Sequence, residues 1–208
     1  MAKNEPTKKP DQHRDSNPPW KRDFSLPSKQ YIAYGSNLNV EQMKFRCPSA
    51  TITGNSEIKD FELVFRGSKT GSYLTIEPKE GSVVPVVIWD IKPDDEKALD
   101  RYEGYPSFYG KEDMTVSVNG TEMTAMVYTM PTHHQHGIPT SNYVNTVAEG
   151  YVTAGFDLDI LKEAVQSAEL KTLAQEELQK ENQEQIYEEH QIESMTGEEE
   201  LPFQMRFD

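Results

Sequence analysis

The 208-residue chain has a single cysteine, Cys47, which excludes an internal disulfide framework and fits a reducing compartment. No apolar run approaches the roughly 18 residues needed to span a bilayer. The first twenty residues, MAKNEPTKKPDQHRDSNPPW, contain no apolar stretch, so no secretory signal and no membrane partner are expected, and the cytoplasm is the expected location. Positive charge is scarce: 21 Lys and Arg stand against 35 Asp and Glu, a net −14. A surface of that sign repels a phosphate backbone, so nucleic acid is excluded as the expected partner. Apolar residues make up only 35% of the chain. That points to a folded centre with polar extensions.

Charge divides the chain in the same way. Residues 1–29 carry a net +3, residues 30–167 a net −8, and residues 168–208 a net −9. Five prolines and few apolar groups make 1–28 an expected disordered tail. Residues 29–167 form the expected domain. Residues 168–208 are an acidic extension, helical or disordered, whose apolar residues are too sparse for a coiled-coil seam. Its ending, LPFQMRFD, alternates apolar and polar residues and would either dock on the core or bind a protein partner.

Within the domain, QYIAY (30–34) reads as a short strand, and NLNVEQMKFR as an imperfect helix stopped by Pro48. FELVF (61–65), SYLTI (72–76) and VVPVVIWDI (83–91) read as strands, the last with Pro85 at an edge or a bulge. Trp89 is an expected core residue, whereas Trp20 has no assignment. KPDDEKALDRYEGY (92–105) predicts a helix with Pro93 in its first turn and Gly104 closing it. Asn119-Gly120 predicts a hairpin across 114–128. Two helices, 140–155 and 157–170, are separated by Gly155. The sum is an α+β fold of about one domain.

Two stretches carry chemistry. Gly35-Ser36-Asn37 joins the first strand to a helix, and a glycine there permits positive φ or a close approach to the backbone. A helix starting near Asn37 or Leu38 would point unpaired amides into the joint, ready for an anion. Plain N-capping by Ser36 or Asn37, with no ligand, is the alternative. The second stretch is LDRYEGYPSFYGK (99–111). Glu103 falls at the negative end of the predicted helix, among Tyr102, Tyr105, Phe108 and Tyr109. Both surroundings disfavour the charged carboxylate and raise its pKa, which suits proton transfer. The alternative is a surface glutamate lying across tyrosines.

Taken together, Tyr34-Gly35-Ser36-Asn37-Leu38 and, some 65 residues further on, Asp100, Glu103, Gly104 and Tyr105 resemble the γ-glutamylcyclotransferase-like family. Tyr143, opening a helix in SNYVNTVAEGYVTAGF, is a third similar element. The resemblance covers about residues 29–165. It implies a mixed, partly closed barrel-like sheet with a few packed helices. The implied reaction is cleavage of a γ-glutamyl amide by the substrate's own α-amine, giving 5-oxoproline and a free amine or amino acid. It further implies Glu103 as general base and acid, and Tyr34, Gly35, Ser36, Asn37 and Leu38 as the substrate loop, through amides that hold a carboxylate or an oxyanion. Tyr143 becomes a hydroxyl donor, Tyr109 a weaker substrate contact, and Asp100 a structural residue. No metal or organic cofactor is implied. Asn37 resembles the relatives acting on γ-glutamyl amino acids, or removing a γ-glutamyl protecting group in antibiotic biosynthesis. A non-catalytic module acting through the acidic tail is the alternative.

Other signals are weaker. His133, His134 and His136 lie close together, but a metal site needs convergent ligands and an ordered second layer of partners. Cys47 has no pattern linking it to a histidine, so a nucleophilic role is not expected.

Overall fold

Tyr31, Ile32 and Ala33 are all buried, and a strand covered on both faces sits within a sheet rather than at its rim. The structure, a computed structural model, describes residues 27–68 and 71–196. Among them, six strands form one mixed sheet: β1 (Lys29–Ala33), β2 (Thr51–Ser68), β3 (Gly71–Ile91), β4 (Gly110–Val118), β5 (Thr121–Thr129) and β6 (Gln135–His136). Their order is β4-β5-β1-β3-β2-β6. β1 runs antiparallel to β3, with Tyr31 opposite Trp89. It runs parallel to β5, with Tyr31 opposite Met126. The sheet curls until its far members meet: the Ser56 hydroxyl of β2 donates to the Ser117 carbonyl of β4 at 2.8 Å. The fold is thus α+β, with a sheet curled into a half-barrel.

β2 and β3 are longer than the expected segments. They pair along their length, with register shifts between Ile52 and Gly54 and between Lys59 and Phe61. There Asp60 takes a positive φ of 60° and accepts a hydrogen bond from the Gly81 N–H at 2.8 Å. The stretch 77–82, EPKEGS, lies between two expected strands; Glu77 and Pro78 pair with Glu62 and Phe61, whereas 79–82 bulge out of the register opposite Asp60. Pro85 pairs with Glu57 of β2 and lies beyond Val87, the last β3 residue that β1 reaches, so β1 asks no N–H of it. The hairpin β4–β5 turns on Asn119 and Gly120, at φ 51° and 79°, as a type I′ turn requires.

Four helices complete the described chain: α1 (Val40–Arg46), α2 (Pro93–Glu103), α3 (Ser141–Ala154) and α4 (Leu158–Thr196). α2 begins where Asp95 accepts from the Lys92 N–H at 3.1 Å and ends on Gly104 in the left-handed region. α3 is capped by the Thr140 side chain and closed by Gly155. α4 runs well past the expected end at 170, and from residue 178 to 191 it is exposed. Lys171, paired with Glu62 at 3.0 Å, fastens it to β2. No helix among the described residues is long and apolar enough to cross a membrane. Trp89 is buried in the core. The N-terminal tail up to residue 26, with Trp20, and the ending LPFQMRFD lie outside the described residues.

Candidate active site

β1 delivers the glycine joint into the curled sheet. The helix does not start at Asn37 or Leu38. A single 3-10 turn, Ser36–Leu38, comes first, with the Leu38 N–H bonded to the Gly35 carbonyl at 2.9 Å. Asn39, not Ser36 or Asn37, is the N-cap of α1, accepting from the Gln42 N–H at 3.1 Å. Asn37 is thereby released from capping and points inward. Gly35 has φ −115°, so no left-handed backbone is needed. Its hydrogen is needed for space: a Cβ there would lie 3.1 Å from the Tyr143 hydroxyl oxygen.

α2 delivers the carboxyl. Glu103 is its last residue, and its Oε1 accepts from Asn37 Nδ2 at 2.8 Å. The same amide nitrogen donates to the Tyr31 hydroxyl at 2.8 Å, while Asn37 Oδ1 accepts from Arg46 Nη1 at 2.5 Å. Both N–H groups and the carbonyl of this amide are therefore engaged. Burial is the leading influence on Glu103 and pushes its pKa up to about 7; the Asn37 hydrogen bond and the Arg46 charge pull the other way. Burial, rather than the helix end, is thus the main cause of the raised value.

A pocket of about 30 Å³ lies between the joint and Glu103. Tyr31, Tyr34, Tyr109, Tyr128 and Leu74 complete the wall around Gly35, Ser36, Asn37 and Glu103. Burial keeps the Tyr31, Tyr34 and Tyr109 phenols protonated, well above their ordinary range. Tyr34 donates to the Tyr128 carbonyl at 2.6 Å, and Tyr109 to the Leu74 carbonyl at 2.7 Å, so these two hydroxyl protons brace the wall. Tyr143 differs. Its hydroxyl accepts from the Leu74 N–H at 3.2 Å, which leaves its own proton to give. Larger hollows exist, one of about 940 Å³ between the edges of β2 and β4. That hollow holds none of the residues around Glu103, and chemistry rather than size identifies the site.

Leu38, expected in the substrate loop, does not line the pocket. It is buried under α3, where a Cβ on Gly150 would meet Leu38 Cβ at 2.5 Å. Of the aromatic residues expected around Glu103, Tyr109 lines the pocket, while Tyr102 and Tyr105 are 46% and 42% exposed. Tyr102 sits at the rim, its hydroxyl 3.1 Å from Ser36 Oγ. Asp100 accepts from the Tyr128 hydroxyl at 2.6 Å and pairs with Lys111 at 2.7 Å, so it steadies one wall. Tyr31, Tyr128, Arg46 and Gly150 were not anticipated from the sequence. Tyr31 stands in β1 three residues before Tyr34, which follows the strand's last residue, and that proximity was the only local hint.

The histidine loop gathers no ligand set: among the described residues no three His, Cys, Asp or Glu side chains are placed to hold a metal. Cys47 is buried, and burial pushes its thiol up to about 12, leaving it protonated and unreactive.

The family profile described as "Gamma-glutamyl cyclotransferase, AIG2-like" matches residues 31–145, more than half of the chain. The chain belongs to that family. It is 33% identical over 141 residues to the γ-glutamylcyclotransferase of Bos taurus, covering 64% of this chain and 74% of that one. The Homo sapiens γ-glutamylcyclotransferase is 30% identical over 150 residues, covering 66% and 79%. A solved structure described as "Gamma-glutamyl cyclotransferase" superposes with a TM-score of 0.61 at 28% identity, over 66% of this chain and 86% of the other. For this γ-glutamyl cyclotransferase family member, the matched span runs from Tyr31 in β1 to Asn145 in α3. It contains the glycine joint, Glu103 and Tyr143.

Proposed function

We propose that this enzyme cleaves a γ-glutamyl amide without water, giving 5-oxoproline and a free amine or amino acid. The α-amine of the substrate attacks its own γ-carbonyl carbon, a C–N bond forms, and the original amide C–N bond breaks. The amine, an ammonium with a pKa of roughly 8 in solution, must first lose a proton. Glu103 takes a proton from the attacking nitrogen and returns it to the departing one, so the carboxylate is regenerated each cycle. One buried carboxyl with a pKa of about 7, facing the bare backbone of the glycine joint, is the observation that carries this reading.

The other residues follow from their contacts. Gly35, Ser36 and Asn37 receive the glutamyl moiety and hold it folded for ring closure. Tyr143 keeps a proton that it gives to an oxygen of the bound group as charge builds there. Tyr34 and Tyr109, committed to backbone carbonyls, shape the wall and exclude water. A pocket of about 30 Å³ has room for only one or two waters, so the rim formed by Ser36 and Tyr102 parts when substrate enters.

The test is release of 5-oxoproline from a panel of γ-glutamyl amino acids and amides. Turnover by the wild-type chain and none by Glu103→Gln, with folding intact, is the expected result. Undiminished turnover in Glu103→Gln removes the mechanism.

A further inference from the structure

We propose that Arg46 is a positioning residue for the acid–base step, orienting the Asn37 amide toward Glu103 and tying the two halves of the site together. The inference rests on Glu103 acting as the base. Asn37 and Glu103 come from elements 66 residues apart, and Arg46 touches the surroundings of both. Its Nη1 donates to Asn37 Oδ1 at 2.5 Å. Its Nη2 donates to Gln42 Oε1 one turn back on α1. Its guanidinium carbon lies 3.5 Å from the ring centroid of Tyr102, the residue before Glu103 on α2. A planar fork that donates along its edge while stacking on its face is something arginine can do and lysine cannot.

The orientation matters because a primary amide has a donating and an accepting end. With Arg46 holding the oxygen, the nitrogen must face Glu103 Oε1 and the Tyr31 hydroxyl. Turned over, the amide would set an oxygen against a carboxylate and lose its hold on the base. Arg46 also brings a positive charge that favours the ionised form of Glu103; among the described residues the other titratable groups lining the pocket are phenols. These are Tyr31 from β1, Tyr34 at its end, and Tyr109 and Tyr128 from the far wall; Tyr143 from α3 stands behind Gly35, outside the lining, and Glu103 acts on its phenol. Behind Tyr128 stands the Asp100–Lys111 ion pair, whose charges offset one another.

The experiment compares pH profiles of kcat/KM for wild type, Arg46→Gln, Arg46→Lys and Glu103→Gln on a γ-glutamyl substrate that the wild type turns over. Dividing a variant's profile by the wild type's removes the titration of the substrate amine, which is common to both. For Arg46→Gln the acid limb moves up by about one pH unit; the deficit is about fivefold near pH 7 and shrinks to a constant factor near pH 9. For Arg46→Lys the limb stays close to the wild type's, over a uniform loss from the missing fork. A ratio for Arg46→Gln that stays flat from pH 5.5 to 9 overturns the inference. If Arg46→Gln does not fold, Arg46→Lys decides, and an unchanged kcat/KM in that variant overturns it. Glu103→Gln separates the two readings: if it is active, the base assignment fails. If it is inactive while the Arg46→Gln ratio is flat, only the role of Arg46 fails.

Discussion

Replacing Glu103 by glutamine keeps the side chain's size and an oxygen for Asn37 to donate to, and removes the ionisable group. In the unfolded chain this carboxyl titrates near 4.5, and in the folded one near 7. Below the first value both states hold the proton, and the contribution of the folded environment to stability is complete. As pH rises through the second, the folded protein must surrender a proton it holds more tightly than the unfolded chain does, and stability is lost. The interval between 4.5 and about 7 converts to about 3 kcal/mol at roughly 1.4 kcal/mol per pH unit. Relative to the wild type, Glu103→Gln is therefore expected to gain about 3 kcal/mol between pH 4.5 and pH 8, or about 6–12 °C in Tm for a chain of this size. The assay is urea and thermal unfolding of both proteins at pH 5, 6, 7 and 8, followed by circular dichroism. A difference between the two that does not change with pH would refute the reasoning, because it would mean that the buried carboxyl is not held in its protonated form. Gain of stability with loss of turnover is the pattern of a group kept for its chemistry.

Gly150→Ala sets a methyl 2.5 Å from Leu38 Cβ, and backbone must shift to admit it. A loss of about 1–3 kcal/mol in urea unfolding, with kcat/KM falling as the glycine joint moves, is expected. Gly35→Ala differs, since its φ of −115° is not left-handed and the conflict is 3.1 Å from one hydroxyl. Stability should change by less than about 1 kcal/mol while KM rises, as measured by 5-oxoproline release. Cys47, buried with its thiol pushed up to about 12, should resist a thiol reagent at pH 8 until denaturant is added. Rapid labelling of the folded protein would contradict its placement.

Signals within a few residues of each other were legible in the sequence. Asn119-Gly120 announces its hairpin because both positions need positive φ. Pro93 and Gly104 mark the two ends of α2 for similarly local reasons, and the position of Glu103 follows from them. The glycine joint was legible as a place of close approach, though the approaching atom, the Tyr143 hydroxyl, was not. What stayed hidden depends on contacts between distant positions. Nothing local to Arg46 reveals that it faces Asn37 and stacks on Tyr102. Tyr128 enters the pocket only because β5 lies parallel to β1. The loop-like composition of 79–82 does mark an interruption of the ladder, but that the chain stays in β3 on both sides of it depends on pairing with β2. The length of α4 was undecidable for the opposite reason: Glu, Gln and Lys propagate a helix well but bury nothing.

β1 is only five residues long, and it serves two masters. Its edges are held by β3 and β5, and one of its faces presents Tyr31 to the amide that grips the acid. Side chains alternate along a strand, so a slip by a single position would turn that phenol to the opposite side and bring Ile32 in its place. A swollen form that keeps its helices but loosens this short seam has no working centre at all. During gentle denaturation, turnover should vanish with the protection of the β1 amides against hydrogen exchange, while the helical signal is still largely present.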